Sequence, residues 1–229
     1  MEDAMNIMLD IETLDVAPSA VMLSIGMVAF DDREIYDLFY AVPDMQEQMD
    51  AGRTVNASTI LWWMQQSSEA RKVFDEQRLK KSAPNWEHYC TVLVRAAEFI
   101  KKYPKAKIYS YGGDFDIPIL ANAFKGPFSP NDIPWRFTDV RCFRTWCDDH
   151  GVRYTSSRDP RVAHHALDDA KAQANHMLKY WESQRDTPPE KEKTFEGYGS
   201  DKSVTVDTGR ALTAEDFDDI LGGKGSGAV

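Results

Sequence analysis

The sequence predicts a single α/β domain, a mixed sheet flanked by helices, followed by a flexible acidic tail. Two patterns and one break carry this reading. Apolar, strand-like runs fill the opening of the chain. Amphipathic helical segments and short strands then follow one another, and beyond Arg185 the apolar spacing stops. A chain of 229 residues with 42% hydrophobic composition is long enough to bury one core of that kind.

Residues 6–14 (NIMLDIETL) are mostly apolar and read as a buried strand. Residues 21–31 (VMLSIGMVAFD) form a second, with Pro18 and Ser19 marking the turn before it. Residues 34–43 (EIYDLFYAVP) alternate and are rich in aromatics, a third strand that completes an antiparallel meander. The spacing predicts a helix over 56–74, with Asn56 or Ser58 as its N-cap. Over 85–104, Trp86, Tyr89, Val92, Leu93, Ala96, Ala97 and Ile100 share one helical face, and Pro104 stops the helix. Residues 106–113 read as a strand ending in a Gly-Gly turn, and 115–124 as a helix with Pro118 tolerable in its first turn. Residues 135–151 open as a short strand or helix start and continue as a helix; 165–184 form the last strong helix. The domain therefore spans 1–185. Residues 186–229 are a polar, Pro- and Gly-containing tail in which 213–221 could form a short acidic helix.

Net charge is −10, of which the tail contributes −5 and the first 185 residues −5. Neither part has the basic excess of a non-specific DNA clamp, although an enzyme that grips a short strand through cations remains compatible. No apolar run reaches the roughly 18 residues needed to cross a bilayer, so no membrane association is expected. The first residues carry acids where a signal peptide carries bases. Cys90, Cys142 and Cys147 are odd in number and lack C-x-x-C spacing. That disfavours a disulfide framework or thiolate zinc site and fits a cytoplasmic location.

The chemistry sits in acids. Asp10 and Glu12 lie two apart on the first strand, so both point to one face. Two acids on so apolar a strand are costly to bury unless paired or bound to a cation. Asp116 follows a strand and a Gly-Gly turn, the kind of place where α/β sheets gather their sites. Taken alone, a helix cap is the commoner role for Asp116 or Asp114. Asp168 and Asp169 open the last helix, where acids suit the helix dipole. Together, Asp10, Glu12, Asp116 and Asp169 would supply four hard oxygen ligands from three segments, a set suited to Mg²⁺ or Mn²⁺. Crowded without a cation, they would raise one another's pKa values.

These residues resemble the motifs of the DEDD 3′–5′ exonuclease superfamily. Asp10-x-Glu12 resembles the first motif, GGDFDIPIL with Asp116 the second, and HHALDDA the third, in which a histidine precedes the last aspartate by five residues. His164 and Asp169 have that spacing; His165 does not. The chain is therefore similar to the DEDDh branch. STILWWMQQS (58–67) resembles a segment of the phage exonuclease A type and the related mycobacterial exoribonuclease. The resemblance covers about residues 5–183. It implies an RNase H-like fold with a five-stranded mixed sheet and a two-metal hydrolysis of phosphodiester bonds at 3′ ends. In that mechanism Asp10, Glu12 and Asp169 hold the ion beside the attacking water, Asp10 bridges to a second ion, Asp116 completes the site and His164 takes the water's proton. An imidazole suits that step, with an unperturbed pKa of about 6.5.

Thr13 and Leu14 are placed by the resemblance beside the 3′-terminal nucleotide, with Gln66 a weaker candidate. Trp62 and Trp63 lie about 100° apart on a helix, so one belongs to the core and the other is a candidate to stack on a terminal base. Arg141, Arg144, Arg153, Arg158 and Arg161 are candidate phosphate contacts, though solvated charge is the commoner fate of each. The expected substrate is a single-stranded 3′ end, with DNA placed slightly ahead of RNA. The alternatives are an exoribonuclease or oligoribonuclease, and a catalytically silent nucleic-acid- or partner-binding protein. The five-residue acid and histidine set argues against the last. Phe217, Ile220 and Leu221 in the tail are a candidate apolar face for a protein partner. Oligomeric state is not legible.

Overall fold

The opening strands form where the apolar runs predict them. In the computed structural model, which describes residues 5–126, 133–155 and 164–185, β1 (Asn6–Thr13) pairs antiparallel with β2 (Met22–Phe30), and β2 antiparallel with β3 (Ile35–Pro43). The tail, its 213–221 helix and the candidates Arg158 and Arg161 lie outside the described residues. The elements after the meander are the helices α1 (Met45–Asp50), α2 (Ala57–Met64) and α3 (Lys72–Leu79), then strand β4 (Trp86–Glu87) and helix α4 (Tyr89–Lys101). Strand β5 (Lys107–Ser110), helix α5 (Asp116–Phe124), strand β6 (Val140–Cys142) and helices α6 (Phe143–Asp149) and α7 (Ala166–Arg185) complete the described domain. The sheet order is β4-β3-β2-β1-β5-β6, with β4, β5 and β6 joining in parallel.

The sheet has six strands rather than the expected five. Trp86 does not sit on the face of a helix but in β4, because the end of β3 needs main-chain partners. Val42 N–H donates to Asn85 O and Asp44 N–H to Glu87 O, each at 2.9 Å, and α4 begins only afterwards. The helix expected over 56–74 is two helices. Asn56 caps α2 by accepting from Ser58 N–H; Ser67 Oγ accepts from Ala70 N–H and opens a new turn. Helix α1 has no counterpart in the sequence reading and is capped by Asp44, which accepts from Glu47 N–H.

Alternation along β1 divides the core. Ile7, Leu9 and Ile11 pack against α4 and α5, while Met8 faces a second cluster with Phe143 and Trp146 of α6 and Ala170, Ala174 and Met177 of α7. Asp10 and Glu12 continue the Met8 row, so they face α7. No helix among the described residues is long and apolar enough to cross a membrane.

Candidate active site

The site forms where β1 outruns β5. The parallel pairing of these strands stops at Leu9 and Ser110, which leaves the next main-chain groups of β1 to find other partners. Ile11 N–H donates to Asp116 Oδ1 at 3.0 Å. Asp116 is thus not the cap of α5: that position is Phe115, whose side chain makes no capping bond. Asp116 is 4% exposed, and burial pushes its pKa up to about 7, against the pull of the Ile11 N–H.

Asp10 lies at the centre of the acids. Its pKa is raised well above the ordinary carboxylate range, first by burial and then by Asp116, Glu12 and Asp169; a hydrogen bond from Gln173 Nε2 to its Oδ1, 3.2 Å long, opposes the rise. Ligand atoms of Glu12, His164 and Asp169 all lie within 4.8 Å of one another, with His164 Nδ1 3.9 Å from Glu12 Oε1. Four carboxylates that repel one another, beside an imidazole, are a donor set that fits divalent cations.

The doubled pairs in HHALDDA separate in space. His164 N–H donates to Asp169 Oδ2 at 3.1 Å. His165 turns away: its ring stacks on Tyr40 with centroids 4.5 Å apart, and its Nδ1 is 3.1 Å from Asp168 Oδ2. The carbonyl of His165 accepts the N–H groups of both Asp168 and Asp169, which starts the helix. His164 has φ +69°, a left-handed conformation that costs a residue with a side chain about 1–2 kcal/mol. The Asp169 bond and the anchored His165 hold it there.

A glycine makes room for this. Gly26 pairs with Asp10 on one side and Tyr40 on the other, and the first turn of α7 lies in the notch between those two side chains. A Cβ at Gly26 would lie 2.3 Å from Leu167 N and 2.4 and 2.5 Å from Ala166 C and O. Main-chain atoms cannot yield that distance without moving the helix start, which carries Asp169 and adjoins His164. Gly26→Ala is therefore expected to cost about 1–3 kcal/mol of stability and to lower kcat roughly 10- to 100-fold by misplacing both residues. Denaturant unfolding and single-turnover rates measure the two effects; a wild-type rate would show that the helix start does not set the site.

The structure sorts the substrate candidates. Trp63 is 1% exposed, donates from Nε1 to Thr13 O at 2.8 Å and packs edge-on against Phe74, so it is a core residue and not a base platform. Trp62 is 41% exposed, and its ring is edge-on to His164 at 4.8 Å. Thr13 and Leu14, expected beside the terminal nucleotide, keep their side chains inside the fold. Both are buried, Thr13 Oγ1 donates to Asp15 O, and the Leu14 main chain is bonded to Val21 and Asn56. Gln66 Nε2 donates to Trp62 O and braces α2. Arg141 donates to the carbonyls of Thr138 and Val140, while exposed Arg144 sits over the Tyr111 ring. Three residues escaped the sequence reading: Gly26, Tyr40 and Gln173. A glycine inside an apolar strand was the signal available for the first.

The raised carboxyls have a measurable consequence. Asp116 titrates near pH 7 in the folded protein and near 3.9 unfolded, so the folded state holds the extra proton between those values. In chelator, stability is expected to fall as pH rises from about 4 to about 7, with Asp10 acting in the same direction. Adding Mn²⁺ or Mg²⁺ at pH 7 should restore it. Melting temperatures across that range, with EDTA and with metal, check both signs.

Comparison with known proteins places this geometry. Residues 5–181 match the family described as the 3′-5′ exoribonuclease Rv2179c-like domain. No curated protein sequence matches the chain. Among solved structures, the zinc-bound complex of E. coli exonuclease I with single-stranded DNA superposes with a TM-score of 0.55 at 14% identity, covering 81% of this chain and 42% of that one. An exonuclease I without ligand gives 0.52 at 12% identity, covering 81% and 46%. These likenesses show a shared fold, and the chain spans less than half the length of those proteins.

Proposed function

Because the chain belongs to the 3′-5′ exoribonuclease Rv2179c-like domain family, a family of divalent-metal-dependent 3′–5′ exonucleases, we propose that it removes nucleotides from the 3′ end of a single strand using Asp10, Glu12, Asp116, His164 and Asp169. One observation carries the residue assignment: Glu12, His164 and Asp169 converge within 4.8 Å beside a half-buried Asp10 that accepts from Gln173, with Asp116 bonded to the next main-chain N–H of the same strand. Asp10, Glu12 and Asp169 are the residues to hold two ions, Mg²⁺ or Mn²⁺, with Asp116 completing the set. Ions bound there supply positive charge for the scissile phosphate and lower the pKa of a water.

The chain's own groups do the rest. His164 accepts the proton of the attacking water, its ring located by Trp62 on one side and by the Asp169 bond to its main chain on the other. Trp62 offers an exposed face for the terminal base, a contact worth about 1–3 kcal/mol in other single-strand binders. The acids exclude any bound strand that lacks cations to screen it, which makes binding as well as hydrolysis metal-dependent.

The family's description favours RNA as substrate, whereas the exonuclease I complexes hold DNA oligonucleotides. The test is hydrolysis of matched 5′-labelled single-stranded DNA and RNA, with 3′-hydroxyl and 3′-phosphate ends, in Mg²⁺, Mn²⁺ and EDTA. Stepwise shortening from the 3′ end that EDTA stops is expected. Absence of divalent-dependent shortening of either strand would overturn the reading.

A further inference from the structure

We propose that Gln173 is a positioning residue for Asp10, one that fixes how the carboxylate is turned and which of its oxygens is left for a cation. The proposal rests on the metal-dependent reading above. It starts from a residue that is out of place. The buried stripe of α7 is Ala166, Ala170, Gln173, Ala174 and Met177, a helical face that packing alone would fill with apolar side chains. Gln173 is its one polar member and is 4% exposed.

Its placement is specific. Gln173 lies four residues, about one turn, beyond Asp169, so both side chains reach the same face of β1. Its Nε2 donates to Asp10 Oδ1, and Oδ2 takes no part in that bond. Its Oε1 is buried and makes no hydrogen bond among the described residues. A buried amide oxygen without a partner is unfavourable. The position therefore carries a donor at some expense to packing, as expected where the donor half of the amide is what matters. A neutral amide also suits the place chemically. Lysine would bring a counter-charge that competes with the cation, and glutamate would add a fifth acid to the cluster. Groups that orient metal ligands through such bonds commonly change metal affinity or activity by about 10- to 100-fold when removed.

The test uses Gln173→Leu in the full chain. Mn²⁺ binding is measured by titration calorimetry without nucleic acid, alongside kcat and KM on a single-stranded oligonucleotide and the melting temperature in EDTA. Leucine should fit the apolar stripe and remove the unpartnered oxygen, so the melting temperature in EDTA should hold or rise. The Kd for Mn²⁺ should rise about 10- to 100-fold. At fixed, sub-saturating Mn²⁺, kcat should fall while KM for the oligonucleotide changes by less than about twofold. Wild-type Mn²⁺ affinity in the variant would overturn the proposal and show Gln173 to be a core filler. If Gln173→Leu does not fold, Gln173→Met, unbranched and close in volume, makes the same comparison; loss of fold in both would also overturn it, by making the amide structural. The outcome is separable from that of the exonuclease reading. A wild-type protein that binds Mn²⁺ with an affinity that Gln173→Leu lowers, but cleaves no strand, would leave this inference standing and remove the other.

Discussion

Asp169→Asn should leave no measurable hydrolysis of a 3′ end, whereas Asp168→Asn should leave it close to wild type. The two residues are adjacent and chemically identical, so only placement can separate them. Asp169 shares a cluster with Glu12 and His164, acts on the carboxyl of Asp10 and accepts the N–H of His164. An amide in its place lowers the charge available to cations and can present its donor side to a group that now meets an acceptor. Asp168 is 40% exposed at its side chain and faces His165 and Lys171, where loss of charge costs no more than about 1 kcal/mol. Rates with both variants in saturating Mn²⁺ give the comparison. Equal losses would mean that the first turn of α7 presents a different residue to the site.

His164→Ala is expected to lower kcat by roughly 10²- to 10⁴-fold, the usual worth of a general base, and His165→Ala by about tenfold or less. His165 has a role, but it is mechanical: its ring lies on Tyr40 and its carbonyl starts α7. Its removal should therefore lower the melting temperature more than the chemical step. His164→Ala, by contrast, should relieve the left-handed strain at that position only slightly and leave the fold intact. The pH–rate profile adds a second readout. The variant without the base should lose the acid-side limb, the fall in rate at low pH that protonation of an imidazole imposes, while His165→Ala keeps it. Matched losses in kcat would refute the assignment of the base.

Much of this site is legible in the amino-acid sequence. The alternation of NIMLDIETL put Asp10 and Glu12 on one face, and resemblance to a motif with a five-residue step separated His164 and Asp169 from their neighbours. The chain returned less on its irregular parts. Trp86 reads as helical because its spacing to Tyr89 and Leu93 is helical, yet hydrogen bonds to the end of β3 claim it for the sheet. The polar run at 65–68 looked like helix surface, and it is where Ser67 breaks the helix. Trp62 and Trp63 could be told apart only in kind, one core and one exposed, since the 100° between them does not say which face turns inward.

What the sequence determined by itself is what period controls, namely the α/β class, the antiparallel opening and the acids that share a face, together with what a motif resemblance supplies, the histidine in step with Asp169. What the tertiary structure alone decided are pairings between residues far apart in the chain. From the first position of α5 the Asp116 carboxylate accepts from Ile11 N–H, 105 positions away, and Gln173 reaches Asp10 across 163. Gly26 matters only because the start of α7 crosses it. Local side-chain preference governs the first group, because neighbours within a turn or a strand meet in any fold. The second depends on where β5 ends and where α7 is laid on the sheet, and packing across the whole domain sets both.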